Sequence, residues 1–78
     1  MKNIQNFLEK FKEQYIDGDE IQLNPDSYFK EIGTWDSLTG MSIIVMIKDE
    51  FNIDFPLSKF KECKTVQEVY NEIIKIKI

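Results

Sequence analysis

Apolar positions recur with a helical period in three parts of the chain. Ile4, Phe7, Leu8, Phe11 and Tyr15 make one stripe, with Lys and Glu on the other faces, which predicts a helix over residues 2–16. Asp17-Gly18-Asp19 ends it, with Gly18 as the C-terminal stop. Leu38, Met41, Ile44, Val45, Ile47 and Phe51 follow Asp36, a good N-cap type, and predict a second helix over 37–51 that Asn52 breaks. Val66, Val69, Tyr70, Ile73 and Ile74 form the inner stripe of a last helix reaching Ile76. Thr65 and Glu68 stand three residues apart at its start, the spacing of a capping box.

The segments between these stripes carry turn chemistry. Asn24-Pro25-Asp26-Ser27 sits in a long connection over 19–36. Ile21, Leu23, Tyr28, Phe29 and Ile32 in that connection need cover, so it should lie across the bundle, with a turn of helix near Ser27–Glu31. Ile53-Asp54-Phe55-Pro56 should be extended, because the residue before proline avoids the helical region. A short helix over 57–62 follows, with Ser58 as its cap. The fold class expected is all-α: a small four-helix bundle of three longer helices and one short, with a long first loop. Residues 1–78 should form one domain with a small core.

Composition narrows the function classes. Hydrophobic residues make up 42% and aromatics 13%, which fits a globular chain and not a disordered one. The net charge is −4, which argues against nucleic acid or an anionic membrane as partner and for basic protein surfaces. A lone cysteine, Cys63, excludes an internal disulfide and fits a reducing, cytoplasmic setting. Nothing near it forms a metal or redox motif, so it should be inert. No signal-peptide pattern and no membrane-length apolar run is visible. The chain has no His, no defensible carboxylate pair and no phosphate-cradling glycine loop, so it is not expected to be an enzyme or to bind a metal.

One stretch does carry chemistry. Gly33-Thr34-Trp35-Asp36-Ser37-Leu38 reads as a loop breaking straight into a helix, with Gly33 allowing backbone angles other residues avoid. Ser37 then falls in the first helical turn with its hydroxyl exposed, beside free N–H groups and the positive end of the helix dipole. A serine so placed is suited to a phosphodiester, although serine is also common at helix starts for capping alone. It has no partner base, so a separate enzyme would have to activate it.

The order of these features resembles the acyl carrier protein family over most of the chain. The matches are Asp36-Ser37-Leu38 after a Gly-containing loop, Glu50-Phe51 at the end of an apolar helix, Ile53-Asp54-Phe55-Pro56, and the helix start Thr65-Val66. Trp35 immediately before the triplet resembles a subset of stand-alone carriers outside primary fatty acid synthesis. The resemblance implies an acyl-carrier-type bundle with 4'-phosphopantetheine attached covalently to Ser37, whose terminal thiol would hold an acyl group as a thioester. It gives Asp36 a contact with the modifying transferase and its metal ion. Leu38, half core and half edge, and Met41 would belong to the surface that partner enzymes touch, with the Trp35 ring beside the root of the arm. From helical position alone Met41, Ile44 and Val45 read more readily as core. Phe51, Phe55 and Phe60 read as core, or by resemblance to fatty acyl carriers as the wall of an acyl pocket between the second and third helices.

The chain departs from that family in charge. Fatty acid carriers bear acidic residues where this chain has Thr39, Ser42 and Lys48, and their third helix is often acidic where this one reads Leu57-Ser58-Lys59-Phe60. Partner enzymes that dock through Lys and Arg would find less to hold. The implied role is therefore a dedicated pathway. Its partners would be a phosphopantetheinyl transferase, an acyl-activating ligase and acyltransferase or condensing enzymes. Nucleic acid and membrane are not expected as partners, and the carrier should be a monomer. Lys59, Lys61 and Lys64 read as a solvated face. Thr34-Trp35-Asp36-Ser37 lacks the Gly-Gly-x-Ser pattern of peptidyl carriers, which favours an acyl over an aminoacyl cargo. The alternative from another class is an unmodified helical interaction module that docks partners on the second helix.

Overall fold

Helices carry most of residues 4–18 and 20–77, the part described by this computed structural model. They are α1 (Ile4–Lys12), α2 (Ser37–Phe51), α3 (Leu57–Glu62) and α4 (Val66–Lys77), with a 3-10 turn at Phe29–Glu31 in the long connection. This is the expected all-α bundle of three longer helices and one short. The expected start of the first helix at residues 2 and 3, and Asp19 of its stop, lie outside the described residues.

Phe7, Leu8, Phe11 and Tyr15 are buried, as their stripe requires. The regular helix nevertheless ends at Lys12, before Tyr15. The chain continues in tight turns, with the Tyr15 N–H donating to the Lys12 carbonyl (3.1 Å) and the Gly18 N–H to that of Tyr15 (3.2 Å). These turns keep enough helical pitch to hold the Tyr15 ring on the stripe, where its hydroxyl donates to the Phe29 carbonyl at 2.6 Å. Gly18 does not end the helix by adopting a left-handed backbone. It is needed because a Cβ there would lie 2.4 Å from the Lys12 carbonyl oxygen.

The core is rich in rings. Phe7 meets Phe11 and Phe51 edge-on, with centroids at 5.5 and 5.8 Å, and tilts against Tyr70 at 5.4 Å. Such pairs add about 0.5–1.5 kcal/mol each beyond the area they bury. They join α1, the end of α2 and α4 into one interior. Phe51, Phe55 and Phe60 are all within it, so the core reading of these residues holds.

The long connection is fixed against α4. Tyr28 pairs with Thr65 in an isolated antiparallel bridge. The first N–H groups of α4, which have no partner inside the helix, are met by connection carbonyls: Gln67 N–H by Pro25 (2.7 Å) and Val66 N–H by Ser27 (3.4 Å). The capping box is present, with Glu68 N–H donating to Thr65 Oγ1 (3.2 Å) and Thr65 N–H to Glu68 Oε1 (3.1 Å).

α2 ends as its sequence predicts. Asn52 takes the left-handed conformation (φ 57°) and its N–H donates to the Lys48 carbonyl at 2.8 Å. α3 starts differently from expectation. Its cap position is Pro56 without a side-chain cap, and Ser58 lies inside the helix, exposed. Proline fits there because its fixed φ is already helix-compatible and its missing N–H is not needed. The far end of α3 is closed by the Lys30 ammonium, which donates to the Phe60 (2.9 Å) and Lys61 (3.0 Å) carbonyls and sits 5.3 Å from the Phe60 ring centroid. No helix among the described residues is long and apolar enough to cross a membrane.

Candidate functional site

Asp36 sets the start of α2. Its backbone is extended, and its carboxylate Oδ1 accepts from the Thr39 N–H (2.8 Å) and from the Thr39 hydroxyl (2.9 Å). Hydrogen bonds to the Thr39 backbone and hydroxyl, with a smaller one to the Leu38 backbone, hold the Asp36 carboxyl below the usual carboxylate range, against a weaker opposing effect of desolvation. The cap expected at Asp36 is therefore present. Ser37 is the first helical residue and is exposed. Its hydroxyl enters none of the hydrogen bonds found among the described residues. The helix start is not an empty anion cradle, however, because the Asp36 charge already occupies it. Ser37 offers a free hydroxyl for covalent attachment, and that chemistry fits a phosphodiester-linked arm.

The loop before it is held from an unexpected place. Gly33 is not left-handed, and a Cβ there would meet nothing within 4 Å, so the loop does not depend on that glycine. Thr34 anchors the loop instead, its hydroxyl donating to Asp17 Oδ1 at 2.8 Å. Trp35 lays its ring over Gly40, one turn into α2. A Cβ at Gly40 would stand 3.0 Å from Trp35 Cη2, 3.2 Å from its Cζ2 and 3.4 Å from Phe60 Cε2. The same indole lies among Tyr15, Phe29 and Phe60, with centroids at 6.2, 5.5 and 6.1 Å. Trp35 thus covers the loop from within, its ring turned toward Gly40 and the aromatic cluster. Sequence reading passed over Gly40. The signal was available, because a glycine inside a helix costs about 1 kcal/mol relative to alanine and tends to persist only where something approaches closely.

The rotation of α2 also differs from expectation. Its buried face is Thr39, Gly40, Ile43, Met46, Ile47 and Phe51. Leu38, assigned half to the core, is 77% exposed; Val45, read as core, is more than half exposed; and Met41, core by helical position but a surface residue by the family resemblance, is more than half exposed too. Ile44 is half-buried. α2 is apolar on two faces, so periodicity alone did not say which one turns inward. The outer face forms an apolar strip running away from Ser37 along Leu38, Met41 and Val45. A cleft of about 630 Å³ lies along it, lined as well by Lys10 and Glu13 from the α1 side of the chain and by Asp49 of α2 itself.

The positions compared by charge separate in the same way. Thr39 is only 7% exposed and belongs to the cap, so it is not a missing surface acid. Ser42 and Lys48 are exposed, and Lys48 Nζ pairs with Asp54 at 3.3 Å. Cys63 is buried, and desolvation first, then Glu68 and Glu72, push its thiol above the ordinary range.

Residues 8–73 match a family model described as a phosphopantetheine attachment site. The chain is also 35% identical over 54 residues, 69% of its own length and 68% of the relative's, to the acyl carrier protein of Thermobifida fusca (strain YX).

Proposed function

The chain belongs to the acyl carrier protein family, whose members bear covalent 4'-phosphopantetheine and catalyse nothing themselves, and from that premise we propose that Ser37 is its attachment residue. One observation carries the assignment: an exposed serine hydroxyl without a partner, at the first turn of α2, directly after an Asp36 cap. When bound there, the arm supplies a terminal thiol that holds an acyl group as a thioester. The residues of this chain do the rest. Asp36 fixes the helix start, so that the Ser37 hydroxyl points to solvent from a rigid element and not from a loop. Its exposed carboxylate is also free to meet the modifying transferase and its metal ion. The tether keeps the acyl group near each docked enzyme at high effective concentration.

Partner choice falls to the surface. Leu38 and Met41, with Val45, give an apolar docking strip at the root of the arm, and the side chains at Ser42 and Lys48 leave it without the acidic run of fatty acid carriers. That supports a dedicated biosynthetic pathway with its own acyl-activating ligase and acyltransferase or condensing enzymes, in a cytoplasmic setting, with residues 1–78 acting as one monomeric carrier domain.

The test is intact-mass measurement after incubation with coenzyme A and a phosphopantetheinyl transferase. One phosphopantetheine should be gained, and Ser37→Ala should gain none. Absence of any gain with several transferases would favour an unmodified interaction module instead.

A further inference from the structure

An apolar acyl chain tethered at Ser37 would gain by burying itself, and whether it can depends on what lies inside the bundle beside its root. We infer that the bundle interior is closed to the cargo, and that Trp35 is the residue that excludes it, so that the acyl chain rides outside along the Leu38–Met41–Val45 strip. This rests on Ser37 being the attachment residue.

The space behind the start of α2, between that helix, the 3-10 turn and α3, is occupied by aromatic rings. Trp35 is the outermost. Its six-membered edge lies against the α2 backbone at Gly40, close enough that an added methyl would already crowd it. Its ring plane lies 32° from that of Phe60 and meets Phe29 edge-on at 71°. Phe29 itself, with Ile43 and Ile47 of α2, is completely buried. Threading an alkyl chain between packed side chains forces rotamer and backbone shifts, which cores resist. Removing the indole would vacate space in this ring cluster and leave the Asp36–Thr39 hydrogen bonds that cap α2 in place. On the outside the strip begins at the residue after Ser37, is apolar, and borders an open cleft of about 630 Å³. The cargo this arrangement fits is a short or polar acyl group, which loses little by staying in water.

The experiment loads the full chain through a phosphopantetheinyl transferase with acetyl-, butyryl-, octanoyl- or dodecanoyl-coenzyme A. Mass confirms occupancy at Ser37, after which the thermal midpoint and methyl NMR spectra are recorded. In the wild type the methyl shifts should fall at Leu38, Met41 and Val45 and not at Ile43 or Ile47, and the midpoint should rise only slightly with chain length, because a surface strip covers one side of the chain alone. In Trp35→Leu, which keeps an apolar side chain, the midpoint should rise as the chain lengthens. A wild-type midpoint rising with length as steeply as in Trp35→Leu, or wild-type shifts at Ile43 and Ile47, would overturn the exclusion. A flat response in a folded Trp35→Leu would remove Trp35 as its cause. If that variant does not fold, the wild-type methyl shifts decide alone. No mass gain overturns the attachment reading and this inference with it, whereas a gain followed by interior shifts overturns only this one.

Discussion

At the start of α4, Thr65 and Glu68 exchange hydrogen bonds across the first turn, connection carbonyls from Pro25 and Ser27 take the next two N–H groups, and the first helical residue, Val66, is fully buried. At the start of α2, Asp36 caps the turn through Thr39, and the first helical residue, Ser37, faces solvent with its hydroxyl unused. The capping chemistry is alike, and the difference comes from what lies over it. The long connection crosses α4 and seals it, whereas Trp35 folds inward over Gly40 and leaves the Ser37 side of α2 bare. Both caps are made within their own first turn, so a helix start becomes usable for attachment only when no other part of the chain lies over its first residue.

Exchanging the two first-turn residues gives the largest expected effect. Val66→Ser removes methyl groups from a packed site and buries a hydroxyl, and should cost on the order of 2 kcal/mol. For a domain this small that is a fall in thermal midpoint of about 10 °C. Ser37→Val changes an exposed position and should stay within about 0.5 kcal/mol, while abolishing modification. Urea or thermal unfolding of both variants decides. Equal losses would mean that the two helix starts are equally packed, against the burial of Val66 and the exposure of Ser37.

The next effect separates the caps. Thr65→Ala should lower stability by about 1 kcal/mol, because it removes the Glu68 N–H partner. Asp36→Ala also lowers the thermal midpoint and leaves the nearly buried Thr39 hydroxyl without its acceptor. The two should part on modification: Thr65→Ala is still modified at the wild-type rate and Asp36→Ala more slowly. Indistinguishable modification rates, read by mass over time, would confine Asp36 to capping.

Much of this contrast was written in the residues. The Asp36 cap, the bounds of α2 and α3, the capping box at Thr65 and Glu68 and the left-handed stop at Asn52 all depend on local chemistry, which a short stretch of sequence contains. The rotation of α2 did not, because Leu38, Met41 and Val45 are as apolar as Ile43, Met46 and Ile47. Only the approach of Trp35 to Gly40 and the packing against α1 and α4 chooses between the faces. The seal over α4 was also illegible, because it is made by backbone carbonyls of Pro25 and Ser27, which every residue type possesses. The end of α1 misled for a similar reason: Tyr15 keeps the stripe although the helix has already given way to turns.

Acid should weaken both caps. Hydrogen bonds from Thr39, and from the Lys64 and Thr65 backbones, hold the Asp36 and Glu68 carboxyls respectively below their ordinary values. A depressed carboxyl contributes stability that is complete above its unfolded value of about 4 and is lost as pH falls through its folded value. Stability should therefore decline below about pH 4. The decline should be shallower in Asp36→Asn and in Glu68→Gln. At the alkaline end Tyr15, pushed up by burial, contributes stability that is complete below about pH 10 and lost above it. A Tyr15→Phe variant should lose that alkaline limb. Unchanged pH profiles in these variants would remove the link between the caps and stability.

The smallest effect is the most local and bears on Ser37 directly. A phosphodiester there adds a negative charge next to the Asp36 carboxylate, which is fully exposed and already negative. Like charges disfavour ionisation, so the Asp36 carboxyl should titrate higher in the modified protein than in the unmodified one. Glu68, at the start of α4, has no such neighbour and should not move. Carboxyl NMR titrations of the two forms measure both groups in one experiment. Because Asp36 is exposed, raising the salt should shrink its shift, as screening requires. A shift at Glu68 equal to that at Asp36 would point to a change spread through the bundle and not to a charge fixed at Ser37. No shift at Asp36 would mean that the phosphate is held away from its own cap, and the start of α2 would then have to be more open than its hydrogen bonds indicate.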